Sequence, residues 1–469
     1  MVAIASYGVY IPLYRLARQE MGKAWSIPSV PGERSVASGD EDSITMAVAA
    51  GIECLAGIDP ASIDAVYFAT TTAPYAEKQC ATVIASVLDL RRDIFAADFT
   101  DTIRAATVAL RAAHDAIESG SANNVLVVAA DNRPAEPETM WEQILGDGAG
   151  AVLLSREGPA TVRGFHSVTS GAIGPWRRTS DRYVRTFEPK VDTQQGYIAP
   201  MVGAAKAVAE KEGVSPKDIS KAVLSAGDPR SHMTLGRQLG FEMPQLQDTG
   251  FLLLGHTGTP QVLMMLAAAL DGAQAGDRLL VGNYGDGADA FLVEVNEAFP
   301  ALPGKKNFQN YLLTKRMLPS YNAYVALREL MERERFAPRT SPVILWRDSK
   351  MALPLYGARC RKCGTVQYPI PRVCVECGTK DELDEVKLAR KGTVFTFTLD
   401  HLVGGGYADI PIPRIVTDLE EGGRLFLQMT DCDPSEVKIG MPVELTFRYL
   451  HDGSGYHNYY WKCQPVRGG

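Results

Sequence analysis

The stretch DFTDTIRAATVAL, Asp98 to Leu110, decides the fold. It reads as a buried strand end, a polar turn, and a helix whose first turn is Thr102, Ile103 and Arg104. Working outward, two strand-like runs precede it, VYFATTT (66–72) and IFAADFT (94–100), and one follows, VLVVAAD (125–131). Each is apolar on both faces, the pattern of strands buried in a parallel sheet. A helix start beside such strands offers free N–H groups and a partial positive charge, which suits a thiolate, an enolate or an oxyanion. The same alternation fills the first 165 residues. Helices are predicted over 42–56, entered through the acidic GDED turn, and over about 77–88. The run ILGDGAGAVLL (144–154) is small enough to pack closely, and no GK[ST] follows to make it a phosphate loop.

The order then repeats. IDPASIDAVYFATTT from Ile58 aligns with VSPKDISKAVLSAGD from Val214, placing Pro60 on Pro216 and Ile63 on Ile219, an offset of 156. At an offset of 154, Val108 falls on Val262, Leu126 on Leu280 and Val127 on Val281. The chain therefore duplicates a βαβ-rich unit. At the second offset Thr102 falls on His256, within Gly255-His256-Thr257-Gly258, so two helix starts are expected to converge on one pocket.

The chain has 469 residues, 46% hydrophobic and 22% charged, enough for two or three globular domains. No long apolar run and no basic leader is present, so no membrane association and a cytoplasmic location are expected. A net charge of -7 argues against a nucleic-acid binder, leaving anions to local clusters such as Trp176-Arg177-Arg178. Of eight cysteines, Cys360, Cys363, Cys374 and Cys377 form a C-x2-C-x10-C-x2-C set, while Cys54, Cys80, Cys432 and Cys463 are scattered. Two such knuckles hold a structural zinc; a disulfide pair or redox CxxC is the competing reading, and iron the competing metal.

The opening YGVYIPLYRL, DEDSITMA, GDGAGAVLL, the 183–192 segment before GYIAP, and GHTG together resemble hydroxymethylglutaryl-CoA synthase, within the thiolase superfamily, over residues 1–298. The resemblance implies a duplicated α/β thiolase-like (αβαβα) fold, an acyl-CoA substrate, carbon–carbon bond chemistry beside the thioester, and a homodimer or higher homo-oligomer. It departs at the chemistry. The family's acyl-accepting cysteine falls on Ile103, beside Thr102; its general-base glutamate falls on Thr71 or Thr72; its histidine falls within Ser225 to Asp228, with His232 further on.

A pocket without a thiolate is poorly suited to an acyl-enzyme, because Thr102 lacks an adjacent base. An aldol or retro-aldol step needs only a base and donors to the enolate. His256 is the candidate donor, Asp101 or Asp228 the candidate base, and the competing readings are a satisfied core histidine and two helix caps. Arg104, Arg177 and Arg178 are candidates for the phosphates or pantetheine of CoA, although Arg104 could equally pair with Asp98 or Asp101. Tyr75 and Lys78 could line the mouth. Cys80 is the alternative thiol, or simply core.

Beyond Val295 the composition changes. Residues 299–350 read as a linker and a helix around 320–336, 351–384 as a rubredoxin-like zinc ribbon, and 385–469 as short strands of an OB-type β-barrel. The thiolase-like halves divide at 165/166. The ribbon and barrel resemble an acyl-CoA-associated zinc-ribbon/OB-fold family, found beside thiolase-like proteins that resemble steroid side-chain aldolases. Tyr456, Tyr459, Tyr460 and Trp461 would fit a base-stacking face, but the acidic chain and acyl-CoA neighbour speak against it. The expectation is an acyl-CoA carbon–carbon bond enzyme acting on a β-hydroxyacyl-CoA. A condensing acyltransferase and a non-catalytic acyl-CoA scaffold are the alternatives.

Overall fold

The computed structural model describes residues 1–171, 174–302, 305–331, 339–402 and 410–467. They divide into two compact units: 1–37, 42–85 and 90–321 form one, and 38–41, 86–89 and 322–469 the other.

In the first unit, nine strands make one sheet, in the order Phe95–Phe99, Ala65–Ala69, Asn124–Asp131, Gly148–Ser155, Val2–Tyr10, Ala160–Thr169, Gly287–Val295, Arg278–Tyr284 and Lys221–Leu224. The two halves of the sequence are arranged palindromically about the Val2–Tyr10 and Ala160–Thr169 pair. Ala65 pairs with Val125 in parallel in one half, and Lys221 with Leu279 in the other. These partners are 156 and 154 residues apart across the repeat, the two offsets read from the sequence. Where the first half has its edge strand, the second keeps a single parallel bridge, Ala222 to Leu246. The central strands are buried on both faces, because helices such as Ser43–Cys54, Ala105–Glu118 and Gln261–Leu270 pack their apolar sides against them.

Several boundaries differ from the sequence reading. The helix expected from Thr102 begins at Ala105, because Thr102 and Ile103 form the turn that precedes Arg104, its first flanking residue. The facing helix begins at Gln261, so the helix starts are 156 apart and the counterpart of Thr102 is Gly258, two residues after His256. The helix expected from about Glu77 begins at Cys80, where the Asp98 carboxylate accepts from the N–H groups of Cys80 and Ala81 at 2.6 and 2.8 Å. In the GDED turn only Asp42 caps its helix, in a reciprocal box with Thr45; Asp40 and Glu41 belong to the second unit.

That second unit holds a small three-stranded ribbon sheet and a five-stranded antiparallel sheet. The latter runs Arg424–Gln428, Ile412–Leu419, Lys391–Asp400, Pro442–Gly453, Tyr456–Pro465. A parallel bridge between Met429 and Cys463 links its two outer strands, as a barrel requires. Alternate residues point inward, giving a core that includes Ile415, Leu425, Leu427, Val443, Phe447 and Trp461. The helix expected over 320–336 spans Tyr321–Leu327 among the described residues; 332–336 lie outside them.

Candidate functional site

The site is built from loops at strand ends. Gly285 follows the strand Arg278–Tyr284 with φ of 141°, and a Cβ there would lie 2.7 Å from Thr102 Oγ1 and 2.9 Å from Arg104 N. Only glycine permits that approach. Beside it, Asn283 Nδ2 donates to the Ile103 carbonyl at 3.2 Å and Asn283 Oδ1 accepts from Ser225 Oγ at 2.6 Å. Thus the turn carrying Thr102 and Ile103 is fixed by side chains from the second half of the repeat.

His256 enters from the other helix start and is 3% exposed. The Gly258 N–H donates to its Nδ1 at 3.2 Å, so Nδ1 is the acceptor and Nε2 carries the proton. That proton is donated to Tyr284 Oη at 3.0 Å. The phenol is thereby an acceptor from His256, and its own O–H remains to donate elsewhere. Burial, then the charge of Arg133, lowers the His256 pKa to about 3 and keeps the ring neutral. Burial raises the Tyr284 pKa, with Arg133 opposing and Asp228 adding to the shift. At neutral pH the pair is therefore two neutral donors in series, and His256 is no general base. Sequence reasoning missed Tyr284; the polar YGDG turn closing a buried strand was the available signal. Gly227 lies against it, since a Cβ there would be 3.2 Å from Tyr284 Oη, and the Tyr197 ring packs edge-on at 4.6 Å.

The imidazole's depressed pKa has a stability consequence. Its folded pKa lies below the unfolded value of about 6.5, so the unfolded chain takes up a proton that the native state refuses. Stability is full above pH 6.5 and falls toward pH 3, by about 1.4 kcal/mol per pH unit from this group. Chemical denaturation between pH 7 and 4 should show a shallower slope in His256→Gln than in the native chain.

Where the family resemblance expects a glutamate base, the structure has a saturated carboxylate. Asp131 is fully buried and accepts from Thr70 Oγ1, Thr71 N and Oγ1, Thr72 Oγ1, and Thr259 N and Oγ1, all at 2.6–3.0 Å. Six donors occupy its lone-pair sites, so it organises the loops and has no room to take a proton from a ligand.

The remaining candidates are dispersed. Asp101 is exposed, with φ of 75°. Asp228 caps the helix Pro229–Gln238 through Ser231 N and Oγ at 2.9 and 2.6 Å, and its charge adds to the upward pKa shifts of Tyr284 and Tyr197. Arg104 pairs with neither Asp98 nor Asp101. It turns inward to Asp289 at 3.3 Å and the Val168 carbonyl at 3.2 Å, which commits it to the sheet rather than to a phosphate. Arg177 is exposed and donates to the Thr71 carbonyl at 2.7 Å. Arg178 is held by Asp181 through Nε and Nη2, both at 2.9 Å. Cys80 is fully buried, and burial, then Asp98 and Asp42, pushes its thiol up to about 12. It is no nucleophile at neutral pH. A cavity of about 570 Å³ lined by Arg111, His114, Arg163 and Lys211, among others, includes none of these groups.

In the second unit the four knuckle thiols lie within 4.8 Å of one another, with Cys360–Cys377 at 3.7 Å and Cys363–Cys374 at 3.5 Å. Tetrahedral zinc–thiolate bonds of about 2.3 Å place sulfurs about 3.8 Å apart, so the donor set fits that ion. The Thr379 hydroxyl and backbone pull the Cys377 thiol down to about 6, favouring the thiolate that a metal needs. The purified protein should carry one zinc per chain by elemental analysis, and Cys374→Ser should release it.

Residues 97–171 of the chain match the family of 3-oxoacyl-[acyl-carrier-protein] synthase III, 355–383 the ChsH2 rubredoxin-like zinc ribbon domain, and 385–448 the ChsH2 C-terminal OB-fold domain. Hydroxymethylglutaryl-CoA synthase of Pyrococcus horikoshii is 31% identical over 346 residues, covering 72% of this chain and 95% of its own. That of Pyrococcus furiosus is 33% identical over 307 residues, covering 63% and 87%. Among solved structures, an HMG-CoA synthase complexed with CoA aligns over 82% of this chain and 100% of its own, with a TM-score of 0.63 at 17% identity. MvaS in complex with 3-hydroxy-3-methylglutaryl coenzyme A aligns over 72% and 94%, with a TM-score of 0.62 at 19% identity. These likenesses establish the duplicated thiolase-type α/β fold followed by a zinc ribbon and an OB-type sheet. Among the described residues no helix is long and apolar enough to cross a membrane.

Proposed function

Because the chain belongs to the hydroxymethylglutaryl-CoA synthase family, we propose that it makes or breaks a carbon–carbon bond beside an acyl-CoA thioester, by aldol chemistry without a cysteine acyl-enzyme. The observation that carries this is the His256–Tyr284 pair: a phenol that accepts from a neutral imidazole and keeps its own O–H for an enolate oxygen, with Ile103 where a thiol would be needed. In the cleavage direction the β-hydroxyl proton passes to a carboxylate, a role for which Asp228 is the candidate. The carbon–carbon bond then breaks, its electron pair moves onto the thioester as an enolate, and the β-carbon leaves as a carbonyl compound. Tyr284 donates to the enolate oxygen, supported by His256. Protonation at the α-carbon yields the shorter acyl-CoA. Condensation is the reverse. Arg177, with Arg178 held by Asp181, would meet the phosphates of CoA; the zinc is structural, and the chain forms a homodimer or higher homo-oligomer, which sedimentation would check.

Kinship with condensing enzymes favours a second reading, acyl transfer through Thr102, since the buried Cys80 thiol is no nucleophile at neutral pH. Turnover of a panel of β-hydroxyacyl-CoA and acyl-CoA substrates, with mass analysis of the intact protein, separates the readings. Cleavage or condensation with no protein adduct is expected. A competent acyl adduct would restore the synthase route, and CoA binding without turnover would leave a scaffold.

A further inference from the structure

Arg18 opens the helix Arg18–Trp25 and is fully buried, yet its hydrogen-bond partners among the described residues are three main-chain carbonyls and no carboxylate. Nε donates to Gln143 O at 2.7 Å, Nη1 to Pro31 O at 2.6 Å and Nη2 to Phe251 O at 2.6 Å, while the guanidinium lies 4.4 Å from the centre of the Phe251 ring. Burial, then Arg34, lowers its pKa to about 10, with the charge of Glu33 opposing, so the group remains a cation at neutral pH. Burying a cation on neutral acceptors is costly, and packing alone would be served by an apolar side chain.

What the three carbonyls share is their position relative to His256. Phe251 O also accepts from Gly255 N at 3.0 Å, so Arg18 grips the turn immediately before the histidine. Gln143 precedes Ile144, whose carbonyl accepts from His256 N at 2.8 Å; Gly146 N in turn donates to His256 O at 3.0 Å. Pro31 lies beside Gly32, where a Cβ would stand 2.2 Å from Leu252 O and 3.1 Å from Arg18 Nη1. One planar fork therefore bonds Phe251 and Gln143, at or next to both backbone segments that hold His256, and three of its fixed donors set their spacing.

We propose that Arg18 is a positioning residue that fixes the His256 backbone, and through it the hydrogen bond from His256 Nε2 to Tyr284, from outside the pocket. The catalytic part of this rests on the function proposed above; the geometric part does not. The test uses the full chain with ¹⁵N-labelled histidine, Arg18→Lys as the main variant and Arg18→Ala with added guanidinium as the second. The ring nitrogens of His256, assigned by their loss in His256→Asn, should report a protonated Nε2 in the native chain and a mixed or reversed tautomer in Arg18→Lys. Turnover of a β-hydroxyacyl-CoA should fall about 10–100-fold in kcat with KM nearly unchanged, as expected of a small misplacement. Guanidinium should restore part of both signals in Arg18→Ala. If Arg18→Lys folds with native His256 shifts and native kcat, or if Arg18→Ala unfolds while Arg18→Lys keeps both, the proposal is overturned and Arg18 is structural only. If the native chain turns over no such substrate, the functional reading fails while the imidazole shifts still decide the positioning role.

Discussion

Tyr284→Phe is expected to lower kcat on a β-hydroxyacyl-CoA about 10²–10³-fold, the usual loss when one preorganised donor to a developing oxyanion is removed. The fold should survive, because the substitution deletes one oxygen and one hydrogen bond, worth about 1 kcal/mol. His256→Asn should cost less than Tyr284→Phe, since the imidazole acts through the phenol, and the double variant should be little worse than Tyr284→Phe alone. KM should move little, since the contact strengthens as charge builds on the thioester oxygen. Steady-state kinetics on the three variants, with melting curves to confirm folding, would settle this. A Tyr284→Phe enzyme within fivefold of native, or effects that multiply independently, would remove Tyr284 from the reaction.

The largest stability change is expected in the second unit, from Asp40→Ala. Asp40 lies 2.8 Å from Lys462 Nζ and 3.2 Å from Arg448 Nη1, and Arg448 also meets Glu41 at 2.8 Å and Asp431 at 2.7 Å. All five side chains are at most 4% exposed. Burial alone would raise the Asp40 pKa, but the charges of Lys462 and then Arg448 hold it well below the usual carboxylate range. Removing one member of such a buried cluster costs about 3–5 kcal/mol, because the opposing charges stay buried. Since the folded pKa is depressed, the stabilisation is present above the unfolded value of about 3.9 and is lost as pH falls through the folded one. Denaturant unfolding of Asp40→Ala and Asp40→Asn at pH 7 tests this; a loss under about 1 kcal/mol in both would show that the cluster contributes little.

The parts of this molecule legible in the sequence are those whose signal is local. The strands in 66–72 and 125–131 declare themselves by composition, whereas 94–100, read as buried on both faces, is the partly exposed edge strand Phe95–Phe99; the repeat shows in its two offsets and the metal site in thiols three residues apart. The helix starts were displaced because Thr102 and Ile103 continue an apolar pattern while the backbone is still turning; the turn is fixed by Asn283 and Gly285, distant in sequence. Tyr284 was hidden for a similar reason. A tyrosine ending a strand looks like core until His256, 28 residues earlier, is found donating to it. Arg104 misled in the opposite direction, since a cation near a helix start suggests an external anion, and its carboxylate, Asp289, arrives from the far side of the duplication. GDED reads as one acidic cap, yet only Asp42 serves its helix.

Asp40 and Glu41 also bear on how a chain of this composition could have arisen by joining genes. Two of the carboxylates that balance Arg448 and Lys462, Asp40 and Glu41, are encoded some four hundred codons upstream of them, with all but the first strand of the duplicated sheet in between. A free-standing version of the C-terminal portion would need substitutes for those acids, or apolar residues in place of the two cations. Once Asp40, Glu41, Arg448 and Lys462 were in place together, separating the two reading frames would carry a folding penalty, and the fusion would be difficult to undo by small mutational steps.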